Sequence, residues 1–218
     1  GLLESTMQVQ STSDFKMLRN FRIDVVNKNQ MVAFGTYDVN TNRSVTFKDI
    51  QETEDTKSAG LFYLNFENGE QTALQFYDFL RFDNIYGSLK GREVTYNSSQ
   101  SYDEKPAGNK DASIYYNLHD PQLFRINDQY ILTVEAYKYF YRTETRIEYD
   151  FYGTPIPYTY KVFDGYDFYD MIIVGFSLDG KLVWNNDFPL KNVKTKVLAR
   201  NTTVFKDDDF IIMAHVNN

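Results

Sequence analysis

The side chains that could carry acid–base or metal chemistry are few and scattered along the chain. The 218 residues include two histidines, His119 and His215, and no cysteine. This composition excludes disulfides, thiolate catalysis, cysteine-ligated zinc and histidine-rich metal sites. Three carboxylates recur at every third position in "FDGYDFYD", but that spacing places neighbours on opposite faces of a strand. They would not converge on one cation, so we expect no metal site and no cofactor.

No short catalytic signature is present: the chain lacks a nucleophile elbow, a phosphate-binding loop, a dinucleotide fingerprint and a zinc-binding helix. One pair of residues is still a candidate site. In an alignment of three similar segments we place Glu135 and His215 at one repeat position, which Gly35 occupies in the first segment. Equivalent positions of a radial repeat lie at similar height around its axis, which predicts a hydrolase-type site at a channel mouth. The competing interpretation is that each residue ends a strand and faces solvent or a satisfied backbone group.

Aromatic residues are the more unusual feature of the composition. The chain has 18 Tyr, 18 Phe and one Trp, or 17% aromatic residues, and such residues favour strands. Their densest stretch is "EYDFYGTPIPYTYKVFDGYDFYD" at 148–170. Gly153 and the prolines of "YGTPIP" predict the tip of a long hairpin, with arms at 142–151 and 158–163.

The rings of this hairpin have two interpretations. Cross-strand ring pairs would stabilise an arm that is otherwise marginal in water. Alternatively, some rings form an exposed platform for a protein or a carbohydrate, because tyrosine offers both a flat apolar face and a hydroxyl. On this second interpretation Tyr152, Tyr158 and Tyr160, near the tip, are the candidate binding residues.

The elements that must position these residues are hairpins. The segments "VVNKNQMVAFGTY", "RINDQYILTVEAY" and "VFKDDDFIIMAHV" each predict two strands joined by a polar turn. Asn68-Gly69 and Asp179-Gly180 predict two further hairpins, with positive φ at both turn positions. We therefore expect one domain over residues 1–218, built from units at about 20–80, 121–190 and 197–218, with insertions at 38–58, 80–118 and 138–170.

This organisation predicts an all-β protein of antiparallel four-stranded meanders that repeat in a β-propeller-like manner. A short helix is expected just after residue 79, where apolar residues approach helical spacing. The third unit stops after its second strand, so either residues 2–10 complete it or the chain is a piece of a longer propeller. A β-sandwich built from the same hairpins is the alternative fold.

The motifs "HDPQLFRINDQYILTVEAY", "FDGYDFYDMIIVGFSLDGKLVWNNDF" and "AGLFYLNFENGE" resemble those of uncharacterised exported proteins of Bacteroidetes-type bacteria. In those proteins similar elements lie in propeller-like repeats. The resemblance covers most of 20–216 and implies a propeller-like fold and export to the periplasm, the outer surface or the medium. It implies no catalytic residue.

The charge and hydropathy of the chain limit its partners. The net charge is −7 and the pI is about 4.9. An acidic chain repels phosphate backbones, so we expect no nucleic acid partner. No apolar run approaches the roughly 18 to 20 residues of a membrane span, and the start at Gly1 indicates a processed or engineered terminus. The leading hypothesis is a non-catalytic binding module of an exported bacterial protein, which exposed edge strands would allow to form oligomers. The alternatives are the hydrolase-type enzyme and a structural fragment of a larger propeller.

Overall fold

The computed structural model describes residues 9, 16–39, 57–82, 94–95, 113–207 and 210–215. Within them the regular structure is β, apart from one 3₁₀ turn, and every strand pairing is antiparallel. This confirms the predicted all-β, antiparallel class. The described strands form no closed barrel or ring, and the described part has no helix long and apolar enough to cross a membrane.

The first unit is a four-stranded meander, here called sheet A, with strand order β1-β2-β4-β5. Its strands are β1 (Lys16–Asn27), β2 (Gln30–Val39), β4 (Gly60–Glu67) and β5 (Glu70–Asp78). As predicted, Asn68 and Gly69 make its second tight turn, with φ of 52° and 84°.

The second unit, sheet B, has strand order β11-β10-β9-β8-β3. Its strands are β3 (Lys57–Ser58), β8 (Tyr116–Ile126), β9 (Gln129–Tyr149), β10 (Pro155–Ser177) and β11 (Leu182–Thr195). The prediction of two positive φ values at Asp179-Gly180 is wrong. Only Gly180 has positive φ, at 82°, because Ser177 and Lys181 close a three-residue turn instead of a two-residue one.

The remaining strands make two small hairpins. They are β6 (Val94–Thr95) with β7 (Ser113–Ile114), and β12 (Thr202–Lys206) with β13 (Ile211–His215). The predicted helix is present in the described residues only as a 3₁₀ turn at Phe79–Arg81, capped by Asp78, whose carboxylate accepts from the Leu80 N–H at 2.9 Å. The rest of that predicted helix, at 83–93, lies outside the described residues.

Sheets A and B pack face to face around a cluster of aromatic rings. The ring of Phe34 lies 5.0–5.1 Å from the rings of Tyr63, Tyr130 and Phe176, which come from both sheets. All four side chains are almost completely buried. Tilted ring pairs at these distances add to the free energy gained from burying apolar area. This cluster is the centre of the fold.

The opposite face of sheet B is also covered. There Met171 and Ile173, both buried, pack with Ile211 and Met213 of the β12–β13 hairpin. Sheet B is thus the middle layer of three. A strand buried on both faces reads as a continuous apolar run, and "MIIVGF" at 171–176 has that character.

Residues 2–10 are predicted to complete the third unit, and the outer face of sheet A shows where one of them lies. Of that segment only Val9 is described, and the others lie outside the described residues. Val9 lies with Phe21 and Ile23 beside an apolar cavity of about 190 Å³ on sheet A. In the described part, then, Val9 lies at sheet A and not at the β12–β13 hairpin.

We predict that Phe34→Ala lowers the free energy of unfolding by about 3–5 kcal/mol, because it leaves a cavity among three rings. Urea denaturation followed by tryptophan fluorescence measures the change. Phe205→Ala is the control, since this ring is 56% exposed and its loss should cost less than about 1 kcal/mol. Equal losses in the two variants would show that Phe34 is not central.

Candidate functional site

A ribbon of two strands leaves sheet B. Strands β9 and β10 pair along their whole length, from Tyr149 opposite Pro155 to Gln129 opposite Ser177. Strand β8 pairs with β9 only as far as Tyr137, and β11 pairs with β10 only from Tyr166. Residues 138–165 therefore continue without β8 and β11 at their sides, and we call them the arm.

The tip of the arm is a turn held by one carboxylate. Asp150 accepts the backbone N–H groups of Tyr152 and Thr154 at 2.8 and 2.7 Å, and Gly153 has a φ of 78°. The hydrogen bond from the Thr154 backbone, followed by that from Tyr152, lowers the pKa of Asp150. The turn spans 150–154, and both prolines of "YGTPIP" belong to β10 and not to the tip.

The arm has two different faces, because side chains alternate along each strand. On the charged face, Arg142, Glu144, Arg146 and Glu148 of β9 lie opposite Val162, Tyr160, Tyr158 and Ile156 of β10. On the threonine face, Thr143, Thr145, Ile147 and Tyr149 lie opposite Lys161, Thr159, Pro157 and Pro155. Both faces are largely exposed.

The structure brings together two of the three tyrosines that the sequence nominates. Tyr158 and Tyr160 stack on the charged face with ring centroids 6.2 Å apart, and the Tyr160 hydroxyl donates to Glu144 at 3.0 Å. That hydrogen bond raises the pKa of Tyr160. Tyr152 is separate: it lies in the turn, 89% exposed, edge-on to Phe151.

Sequence reasoning missed the two other exposed rings of the tip. Phe151 is 97% exposed and Tyr149 is 70% exposed. By contrast, Tyr139, Phe163 and Tyr166 at the base of the arm form a ring cluster with centroids 5.3–6.2 Å apart. The rings near the base thus anchor the arm, while those at the tip make few contacts with the body. Distance along the strands from the turn distinguishes the two groups, because Tyr139 and Tyr149 lie on the same face of β9.

Glu135 is completely buried and faces the β12–β13 hairpin. Its carboxylate accepts three donors: the backbone N–H of Asn201 at 3.0 Å, that of Thr202 at 2.6 Å and the Thr202 hydroxyl at 2.5 Å. Thr202 lies directly opposite His215 on β13. Glu135 and His215 therefore border the same gap between layers. The carboxylate acts there as an anchor for the start of β12, and the hydrolase-type site remains a prediction.

A second polar link joins all three layers. Asp120, which lies in a bulge of β8 with a φ of 46°, forms an ion pair with Arg22 of β1 and accepts from Arg200 Nε at 2.8 Å. Burial by itself would raise the pKa of Asp120, but the hydrogen bond and charge of Arg200 and the charge of Arg22 outweigh it, so the pKa is lowered. His119 precedes Asp120 and lies directly opposite Glu135.

A cleft of about 420 Å³ opens where β1, β8 and β12 converge. Asp24 of β1 accepts the hydroxyl of Tyr130 at 3.1 Å, and burial together with this bond raises the pKa of Tyr130 to about 12. The guanidinium of Arg125 lies 5.8 Å above the Tyr130 ring. The lining is arginine, aspartate, glutamine, tyrosine and apolar residues, which suits binding of a small polar ligand.

No protein-family model matches the chain, and no curated protein or solved structure shows significant similarity to it. Among the described residues no group of three or more His, Asp and Glu side chains is arranged to hold a metal ion. The resemblance to exported Bacteroidetes-type proteins therefore remains a prediction.

We predict that Glu135→Ala lowers the free energy of unfolding by about 3 kcal/mol, because three donors around a buried carboxylate lose their acceptor. Hydrogen exchange should show the largest loss of protection in β12 and β13. Thr202→Val is the milder control, since it removes one donor and should cost about 1 kcal/mol. A loss spread evenly over the three layers would contradict an anchoring role.

We also predict a pH dependence at His119. Burial lowers its pKa below the ordinary value of 6.5, against the raising influence of the Asp120 and Glu135 charges. The unfolded chain therefore binds this proton more readily, and stability falls as the pH drops below about 6.5. Urea midpoints between about pH 7.5 and 5.5 measure the effect, and His119→Gln should flatten the curve. An unchanged slope in that variant would contradict the assignment.

Proposed function

We propose that this chain is a non-catalytic interaction module of an exported bacterial protein, in which the arm makes the contact. The observation that carries the proposal is the exposure of the tip rings, at 97% for Phe151, 89% for Tyr152 and 70% for Tyr149. A large contiguous apolar patch on a protein surface usually marks an interaction site.

The core of the protein does not account for these rings. The clusters between the layers are complete without any residue of 143–162. Aromatic side chains contribute strongly to protein interfaces because they bury large rigid areas at small entropic cost. A turn fixed by Asp150 presents them in one conformation, which lowers the cost of binding further.

A protein partner fits the tip better than a carbohydrate does. Aliphatic Ile147 and Ile156 accompany the exposed rings, at 58% and 51% exposure, and mixed aliphatic and aromatic surface is typical of protein interfaces. A carbohydrate has a second candidate surface, the stacked pair Tyr158–Tyr160. There flat rings lie beside charged groups that can bind hydroxyls.

The scaffold that holds the arm is proposed to be propeller-like. Three units in chain order stack face to face, and their first strands, β1, β8 and β12, converge on one cleft. Inner strands of a propeller converge on its axis in this way. The alternative of a fragment of a larger propeller draws on the two-stranded third unit, whose Phe205 and Ile212 are more than half exposed.

The test is a peptide and glycan array probed with the intact protein and two variants. Replacing Tyr149, Phe151 and Tyr152 by Ala should abolish peptide binding and change Tm by less than about 2 °C, because these rings contact little of the body. Tyr158→Ala with Tyr160→Ala should spare peptide binding and remove any glycan binding. Full binding by the tip variant, or a large fall in its Tm, would contradict the proposal.

A further inference from the structure

The two long edges of the arm differ in their capacity to accept another strand. Asp150 donates its N–H to the Thr154 carbonyl across the ribbon at 3.0 Å. In an antiparallel ribbon, hydrogen-bonded pairs alternate with pairs that are not hydrogen-bonded, so the next pair, Tyr149 and Pro155, is not hydrogen-bonded. From there to residue 141 the pairing has no register shift. Odd-numbered residues of both strands along 141–149 and 155–163 therefore direct their N–H and C=O groups outward.

The outward edge of β10 is blocked. Pro155 and Pro157 occupy two of its outward positions and have no N–H to donate, and Lys161 adds a charge at a third. Proline and lysine at edge positions are the means by which natural sheets prevent further strand addition.

The outward edge of β9 is open. Its outward residues are Thr143, Thr145, Ile147 and Tyr149, all exposed and all able to donate an N–H. In the described part of the chain no strand pairs with β9 beyond Tyr137. Threonine, isoleucine and tyrosine favour strand pairing, so this edge is a template for one more antiparallel or parallel strand.

The charged face of β9 indicates which strand that is. Its even-numbered residues run Arg142, Glu144, Arg146, Glu148, and this order, when read backwards, is the same order with the signs exchanged. A second β9 placed antiparallel with Thr145 opposite Thr145 sets Arg142 against Glu148 and Glu144 against Arg146. Every charge then meets an opposite charge, and opposite charges directly across strands are favourable.

We propose that two copies of this chain associate through β9, edge to edge and antiparallel, about a two-fold axis at Thr145. The proposal rests on the arm as the interaction element and names its partner as a second copy. The odd-numbered residues would make the new hydrogen bonds, with Thr143 opposite Ile147 on each side of the axis. The result is a four-stranded arm sheet with a closed, isologous interface.

This register also accounts for two other features. Tyr160, by donating to Glu144, holds one of the charges in place for its counterpart. The prolines lie at the two outer edges of the four-stranded sheet, where they stop further addition, so the assembly ends at a dimer and does not extend into a fibre.

The first test compares two proline variants by sedimentation equilibrium. Thr145 and Thr159 face each other across the ribbon and share one side-chain contact of 3.3 Å, so Thr145→Pro and Thr159→Pro remove the same contact and keep the inner ladder. Only Thr145→Pro deletes the N–H groups at the axis. We expect it to raise the dimer dissociation constant about tenfold or more, while Thr159→Pro still forms the dimer.

The second test exchanges charges. Arg146→Glu sets a carboxylate against Glu144 of the second copy and should weaken the dimer, and adding Glu144→Arg to the same chain should restore it. Because the chain has no cysteine, Thr145→Cys gives a third readout. It should form an intermolecular disulfide under mild oxidation, whereas Thr159→Cys should not.

A monomeric wild-type protein at about 100 μM, well above typical dissociation constants of specific complexes, would overturn the inference. So would equal dissociation constants for the two proline variants, which would show that another surface holds the dimer. The array separates this failure from that of the proposed function. If the wild-type protein is a monomer but binds peptides, and the tip variant does not bind them, only the dimer is overturned. A dimer that binds no array ligand with any variant overturns only the proposed tip contact.

Discussion

The fold depends on one constraint, that sheet B is apolar on both faces and must be covered on both. Tyr130, Leu132, Ile172 and Val174 are buried against sheet A, while Met171 and Ile173 are buried against the β12–β13 hairpin. A sheet of this kind cannot stand at the surface, because about 25 cal/mol is lost per Å² of apolar area left in water. The three-layer order follows from it.

Apolar packing holds the layers in contact but does not fix their lateral position. Two sets of polar contacts between the layers fix it. Asp120 joins Arg22 and Arg200 from the two neighbouring layers, and Glu135 holds the backbone of Asn201 and Thr202. Directed hydrogen bonds have an angular preference that apolar contacts lack. The first link also reaches the cleft between β1, β8 and β12, because Arg22 is one of its lining residues.

Local features of the fold could be predicted from the sequence, and long-range ones could not. Asn68-Gly69 and the alternation on each side of it specify a hairpin within ten residues, and the structure contains it. Glu135 acquires its donors from residues 66 and 67 positions away, so spacing alone gave only a pairing with His215. Ser177 and Lys181 close the turn at Gly180 one residue longer than predicted, and Tyr63 packs on that glycine, where a Cβ would lie 2.2 Å from the ring. Such a contact belongs to tertiary packing.

The arm joins both kinds of information. Its rings divide into two groups: Tyr139 and Tyr166 pack together at the base, while Phe151 and Tyr152 are exposed at the tip, where we propose that they bind a partner. The two edges of the arm then differ in the residues that point outward. Pro155 and Pro157 occupy outward positions of β10, where the hydrogen bonds between β9 and β10 need no N–H. The β10 edge is therefore protected against the addition of a strand, whereas the β9 edge is not. The alternating charges of 142–148 already form ion pairs along the strand, Arg142 with Glu144 and Arg146 with Glu148, and exposed pairs of this kind contribute little to stability. In the proposed dimer each of these charges gains a second partner of opposite sign.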